Sequence, residues 1–169
     1  MKIIYIPGFG GNQNSETFKK ISEKYFETEF IIYDNRNAEK AYQQILKQTE
    51  NKKHSNVLII GQSLGGFWAE ILAFENNWNT ILINPSLEPY ESLKKYQLSD
   101  DELSKFKNYK LDKIIESKIS IILSKNDTIV NPKPVIDKYG GFLKFKYIDG
   151  DHKLENFEVL FKEIEKMKT

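Results

Sequence analysis

Cysteine is absent from the 169 residues of the chain, which excludes disulfide bonds, thiolate catalysis and metal sites with cysteine ligands. Histidine is scarce, since the sequence has only 2, so few residues can serve as an imidazole base. No apolar run approaches the roughly 18 residues of a membrane-spanning helix, and the N-terminus lacks a signal-peptide cleavage pattern. We therefore expect a cytoplasmic protein that is not bound to a membrane.

Charge of one sign is also lacking, because 25 basic residues are balanced by 24 acidic ones. This balance gives no electrostatic reason to expect nucleic acid or an anionic membrane as a partner. With 40% hydrophobic and 29% charged residues, the composition is that of an ordinary globular protein. We expect residues 1–169 to form one domain, whose core can fold without disulfides or metals.

Short apolar runs alternate along the chain with longer amphipathic segments. The runs are residues 3–6, 30–33, 57–60, 80–83 and 119–123, and a sixth at 143–148 alternates apolar residues with lysine. Helix-like segments are residues 15–25, 38–51, 63–74, 132–139 and 154–166. Unbroken apolar strands are typical of parallel sheets covered on both faces. The pattern predicts a three-layer α/β fold, with a mostly parallel sheet of about six strands and helices on both faces.

One segment departs from this alternation. Residues 86–113 are polar and charge-balanced, with aromatic residues at Tyr90, Tyr96, Phe106 and Tyr109. We interpret this segment as a small helical insertion, or cap, over the carboxyl ends of the strands. Its aromatic residues, together with Phe9 and Leu87, are candidates for the walls of a substrate pocket.

The most informative motif is G-x-S-x-G at residues 61–65. It follows an apolar run and begins an amphipathic segment, which is the context of a nucleophile elbow, a sharp turn that exposes a serine hydroxyl. Glycine is required at Gly61 and Gly65 because side chains two positions from the serine would collide across the turn. A serine N-cap flanked by glycines is the alternative interpretation. Ser63 is therefore the candidate nucleophile.

His152 is the candidate base, because it follows the last apolar run and so lies at the carboxyl edge of the sheet. His54 precedes the strand that leads to Ser63, which places it at the opposite edge. A surface-loop histidine is the alternative interpretation of His152.

The acid of such a triad lies between the serine and the histidine in the chain and follows a strand. Asp127 directly follows the run 119–123 and is the preferred acid, although a turn aspartate is another interpretation of it. Asp149 and Asp151 remain alternatives, but they share the histidine's own loop. Asn84 ends the preceding strand and cannot supply a carboxylate.

A glycine-rich segment, Pro7-Gly8-Phe9-Gly10-Gly11, follows the first strand. The N–H groups of Phe9 and Leu64 are the candidate donors of an oxyanion hole. A dinucleotide-binding loop is the competing interpretation, because Asp34 ends the second strand, but the third glycine of that fingerprint would stand at Gln13. That interpretation also leaves the candidate triad without a role.

The order of these motifs resembles the YqiA-type bacterial esterases of the α/β-hydrolase superfamily, over essentially the whole chain. The serine and histidine motifs are general to the superfamily, whereas Asn-Pro-x-x-x-Pro-Tyr at residues 84–90 indicates this branch. The resemblance implies an α/β-hydrolase fold, esterase activity and the triad Ser63, Asp127 and His152. Pro7 stands where the family usually has histidine, so the hydrogen bonding of the oxyanion loop must differ, because proline lacks an N–H.

These residues predict hydrolysis of carboxylic esters of small acyl substrates through an acyl-enzyme, with no cofactor and no metal. Thioester hydrolysis by the same triad is the first alternative, since the acylation chemistry is shared. The second is a binding or interaction module whose triad is silent, because a fold does not dictate a function. The sequence favours neither a monomer nor a homo-oligomer.

Overall fold

The computed structural model describes residues 1–52, 56–115 and 117–168. In this part of the chain six strands form one sheet, in the order β2-β1-β3-β4-β5-β6. The strands are β1 Lys2–Ile6, β2 Thr28–Phe30, β3 Val57–Gln62, β4 Asn79–Ile83, β5 Ile119–Ser124 and β6 Lys146–Ile148. All neighbouring pairs are parallel, which confirms the predicted α/β fold.

Helices cover both faces of the sheet. They are α1 Glu16–Lys24, α2 Ala38–Thr49, α3 Leu64–Asn76, α4 Pro89–Ser92, α5 Asp100–Phe106, α6 Lys133–Tyr139 and α7 Phe157–Met167. The pleat of β1 divides its side chains between two cores: Ile4 and Ile6 pack with α2, α3 and α6, whereas Ile3 and Tyr5 pack with α1 and α7. No helix in the described ranges is both long and apolar enough to cross a membrane.

Two strands differ from the predicted runs. Of the run 30–33, β2 includes only the first residue, although Ile31 N–H still donates to Tyr5 O of β1 at 3.0 Å. The side-chain amide of Gln48 binds the next residue, Ile32. Gln48 Oε1 accepts from Ile32 N–H at 3.1 Å, and Gln48 Nε2 donates to Ile32 O at 2.7 Å. The run 143–148 forms a strand only in its last three residues. Its first N–H, that of Leu143, donates instead to a carbonyl at the end of α6.

Residues 86–113 contain α4, α5 and two 3₁₀ turns. A capping box begins α5: Ser99 Oγ accepts from Glu102 N–H, and Glu102 Oε2 accepts from Ser99 N–H. Phe106, at the end of α5, is fully buried against the aromatic side chains of α3. The insertion is therefore anchored on the helical layer, while its turn Lys94–Tyr96 reaches the carboxyl edge of the sheet.

The strand order reverses at β1 and β3. From β1 the chain leads to β2 on one side, and from β3 it leads to β4 on the other. In open α/β sheets, ligands bind in the crevice that such a reversal creates at the carboxyl ends of the strands. The segments that follow β1 and β3, which contain Phe9 and Ser63, both begin at this crevice.

Candidate active site

Ser63 lies between β3 and α3 with φ 54° and ψ −121°. Its N–H donates to Ile83 O at 2.9 Å, and its carbonyl accepts from Gly66 N–H at 2.9 Å and from Ser86 N–H at 3.0 Å. A non-glycine residue at positive φ costs about 1–3 kcal/mol and persists only when its surroundings fix it. These hydrogen bonds hold the strained turn, which presents Ser63 to a cavity of about 340 Å³.

The glycines on either side of Ser63 are required for two different reasons. A Cβ at Gly61 would lie 2.4 Å from Gly65 O, which is the collision across the turn that the sequence predicts. A Cβ at Gly65 would instead lie 2.1 Å from Ile6 O and 2.5 Å from Pro7 O, at the end of β1. Gly65 therefore allows α3 to begin directly against the strand that leads to the glycine-rich loop.

His152 and Asp127 are in direct contact. His152 Nδ1 lies 2.7 Å from Asp127 Oδ2, and the Asp127 side chain is only 5% exposed. The other carboxylate oxygen accepts from Ile129 N–H at 2.8 Å and Val130 N–H at 3.0 Å. Burial alone would raise the pKa of the Asp127 carboxyl, but the hydrogen bonds from His152 and these N–H groups outweigh burial and lower it.

The two alternative acids lie in exposed positions and make other contacts. Asp149 forms an ion pair with Lys125 at 2.8 Å. Asp151 Oδ1 accepts from Lys153 N–H at 2.9 Å, within its own turn. Of the three candidate acids, the structure brings only Asp127 to the described imidazole.

Ser63 and His152 line the same cavity, together with Phe9. Within the described ranges no hydrogen bond joins Ser63 Oγ to the imidazole; such contacts often tighten only when substrate binds. The second histidine, His54, lies outside the described residues. Leu64 is the first residue of α3, directly after Ser63, so its N–H has no partner within the helix.

The loop that carries Phe9 is held by residues that follow β2. Tyr33 Oη donates to Pro7 O at 2.7 Å, and burial raises the pKa of this hydroxyl well above its usual range, so it remains a donor. Asn35 Oδ1 accepts from Gly10 N–H. The proline thus takes part through its carbonyl, which is independent of the missing N–H. The sequence analysis missed Tyr33 and Asn35, although polar residues directly after an apolar run were a signal.

The predicted pocket walls divide among three places. Phe9 and Tyr96 line the cavity of Ser63, and their rings stack with centroids 4.4 Å apart. Leu87 lines a neighbouring cavity of about 690 Å³. Phe106 and Tyr109 pack against a tryptophan of α3, away from the cavity. The insertion therefore contributes its turn Lys94–Tyr96 to the cavity and the end of α5 to the core.

The structure offers other roles for the residues that a cofactor would use. Asp34 accepts from the N–H groups of Arg36 and Asn37 and pairs with Lys40, so it shapes the turn before α2. A dinucleotide-binding site would use this carboxylate for a ribose. In the described part of the chain, no three His, Asp or Glu side chains are grouped as they would be to hold a metal ion.

Sequence comparison assigns the chain to a family. The family described as "Uncharacterised protein family (UPF0227)" matches residues 2–169. The chain belongs to the UPF0227 family. One similar relative is the UPF0227 protein YcfP of Escherichia coli O139:H28, which is 25% identical over 99% of this chain and 98% of its own length. The resemblance to YqiA-type proteins is confirmed at the level of this family.

Solved structures show the same fold. Alpha/beta hydrolase domain-containing protein 10 from mouse is similar with a TM-score of 0.78 and 16% identity, over 99% of this chain and 89% of that chain. Est1E from Butyrivibrio proteoclasticus, with ferulic acid bound, has a TM-score of 0.75 and 11% identity, over 99% and 88%. The UPF0227 chain therefore has the predicted α/β-hydrolase fold.

Proposed function

We propose that this UPF0227 chain is a serine hydrolase that cleaves carboxylic esters of small acyl substrates through an acyl-enzyme. The observation that carries the proposal is the 2.7 Å contact between His152 Nδ1 and a buried oxygen of Asp127, beside a cavity that also contains Ser63. An α/β-hydrolase fold with an ester-cleaving triad at its strand reversal accounts for all three residues at once.

The acylation step begins with a proton transfer. Because a carboxylate only accepts, the contact with Asp127 places a proton on His152 Nδ1 and leaves Nε2 as the acceptor. Nε2 takes the proton of Ser63 as Oγ attacks the carbonyl carbon, and Asp127 stabilises the resulting imidazolium. The imidazolium then protonates the leaving alkoxide. Water repeats the sequence to release the acid and restore Ser63.

The negative charge of the tetrahedral intermediate falls on the former carbonyl oxygen. The N–H groups of Leu64 and Phe9 are the donors that we assign to it. Leu64 begins a helix of 13 residues, so the positive end of the helix dipole adds to the stabilisation. Tyr33 and Asn35 support this hole indirectly, because they fix the backbone on both sides of Phe9.

The size of the cavity favours small acyl groups. At about 340 Å³ it is at the lower end of the range for ligand pockets. Tyr5, Phe9, Tyr96 and Leu154 line it, together with Gln62, whose Oε1 accepts from Tyr5 Oη at 2.7 Å. Est1E, which has this fold, binds ferulic acid, a carboxylic acid of the kind that ester hydrolysis releases.

Hydrolysis of activated esters tests the proposal. A series of p-nitrophenyl esters from acetate to decanoate, with matching acyl thioesters, should show turnover that is highest for the short acyl chains. Ser63→Ala should remain folded and lower kcat/KM by several orders of magnitude, about 10³-fold or more.

His54→Ala is a control, because it removes the histidine that has no role in the proposed mechanism and should keep the wild-type rate. Near-native turnover by Ser63→Ala would contradict the proposal. A rate that is higher for thioesters than for esters would identify the thioesterase alternative, and no turnover of either class would favour a silent binding module.

A further inference from the structure

Asn84 is a buried polar residue with an unusual backbone. It directly follows β4, is only 2% exposed and has φ 43°, in the left-handed region. Its N–H donates to Ile122 O at 2.9 Å, which extends the contact between β4 and β5 beyond the end of β4. Left-handed backbone favours glycine, and asparagine tolerates it better than most other residues. The contacts of its side chain explain why an asparagine occupies this buried, strained position.

The side chain of Asn84 uses both ends of its amide. Oδ1 accepts from Ser124 N–H at 2.7 Å. Nδ2 donates to Ser124 Oγ at 2.9 Å and to the backbone carbonyl of His152 at 3.0 Å. One residue thus joins the ends of two strands to the loop that carries the imidazole.

The imidazole is therefore fixed from two directions. Asp127 holds its Nδ1, and Asn84 holds the backbone carbonyl of the same residue. The orientation of this carbonyl is tied to the ψ angle of His152, so the hydrogen bond from Asn84 restrains the backbone that carries the imidazole. Elsewhere in this loop, Asn126 N–H donates to Gly150 O at a longer 3.2 Å.

We propose that Asn84 is a positioning residue for His152: it fixes the backbone of the base so that Nε2 faces Ser63. The inference rests on the proposed function for the role of His152 as a base. It assigns a role to the position after β4, where the sequence offers an amide and no acid. An amide suits the position because it supplies one acceptor and two donors, and a carboxylate supplies no donor.

Asn84→Asp is the sharpest variant. Aspartate tolerates the same backbone and keeps the acceptor for Ser124 N–H, but it replaces the donor to His152 O with a second oxygen. Asn77→Asp is the matched control. Asn77 is exposed, has φ 53° and follows α3 at its C-terminal end, whereas Ser63 precedes the N-terminal end of this helix. Both variants make the same chemical change at a left-handed asparagine.

We expect Asn84→Asp to lower kcat about 10²-fold with little change in KM, as a misplaced catalytic group does. The other charged groups around the imidazole, Asp127, Glu16 and Lys153, are unchanged. Asn77→Asp should match the wild type in both measurements.

A proton NMR signal gives a readout that needs no activity. The Nδ1–H proton of His152 in its hydrogen bond to Asp127 should be visible in the wild type and in Asn77→Asp, and shifted or lost in Asn84→Asp. With 2 histidines in the chain, His54→Ala completes the assignment. If Asn84→Asp is unfolded at the assay temperature, Asn84→Gly, which suits the positive φ, takes its place.

Wild-type rates and an unchanged Nδ1–H signal in the folded Asn84 variant would overturn the inference. A wild type that hydrolyses no ester, with the Nδ1–H signal still dependent on Asn84, would instead contradict the proposed function and leave the positioning role supported.

Discussion

Two effects act in opposite directions on the pKa of the Asp127 carboxyl group. Its side chain is buried, which disfavours the charge, yet hydrogen bonds from the imidazole and from Ile129 and Val130 favour it. The balance lowers the pKa below its ordinary value of 3.8. The carboxylate is therefore charged when the imidazole needs an acceptor, which is the condition for the acid of a serine triad.

We expect Asp127→Asn to lower the hydrolysis rate about 10³- to 10⁴-fold, because an amide can donate to Nδ1 and so leave the proton on Nε2. Asp149→Asn and Asp151→Asn are the matched controls, with the same chemical change in exposed positions, and should stay close to the wild-type rate. All three are measured on one activated ester. A large loss at Asp151 with little at Asp127 would transfer the acid role.

The Asp127 carboxylate should also affect how the free energy of unfolding depends on pH. Because the folded pKa is lower than the unfolded one, Asp127 stabilises the fold above the ordinary pKa, and this contribution is lost as the pH falls through the folded value. The free energy of unfolding should therefore fall more steeply below about pH 4 in the wild type than in Asp127→Asn. Parallel curves from chemical denaturation at several pH values would contradict this.

At the scale of elements, the site depends on how closely α3 approaches β1. Gly65 lies in the first turn of α3, where an alanine would ordinarily stabilise the helix. Here its Cβ would stand 2.1 Å from a carbonyl oxygen of β1, so the strand and the helix would have to separate. The glycine-rich loop continues directly from that strand, and the same separation would move Phe9.

Gly65→Ala should therefore lower the free energy of unfolding by about 1–3 kcal/mol, the usual cost of overpacking, and should reduce activity as well. Gly141→Ala is the control, because a Cβ there meets no atom within 4 Å, and its effect should stay within about 0.5 kcal/mol. Urea denaturation with an ester assay measures both. Equal stabilities of the two variants would contradict the close approach of α3 to β1.

The elements also show how far sequence reasoning extends. The apolar runs predict the four central strands closely, because strands buried on both faces carry a continuous apolar pattern, whereas the two edge strands overlap their predicted runs only in part. The bounds of β2 and β6 differ from the predicted runs. Gln48 binds Ile32 just beyond the end of β2, and the last carbonyl of α6 accepts from Leu143 N–H before β6 begins. The contact of Gln48 joins residues 16 positions apart, and no local pattern records it.

At the scale of the whole molecule, the sheet brings together residues that are far apart in the chain. Ser63, Asp127 and His152 each follow a predicted strand. Because parallel strands have their carboxyl ends at the same edge of a sheet, the sequence predicted that the three residues lie at one edge. The supporting roles that we propose for Tyr33, Asn35 and Asn84 were not predictable in the same way, since each side chain contacts the backbone of a loop that is distant from it in the chain. The insertion was predicted as a cap, and α5 was found on the helical layer.

The central claim is that Ser63 is a nucleophile activated by His152, and covalent labelling tests it most directly. The wild-type protein is incubated with a fluorophosphonate probe, and the adduct is located by peptide mass spectrometry. We expect one adduct, on Ser63, which is absent in Ser63→Ala and forms much more slowly in Asp127→Asn. An unlabelled wild type, or an adduct that persists in Ser63→Ala, would contradict it.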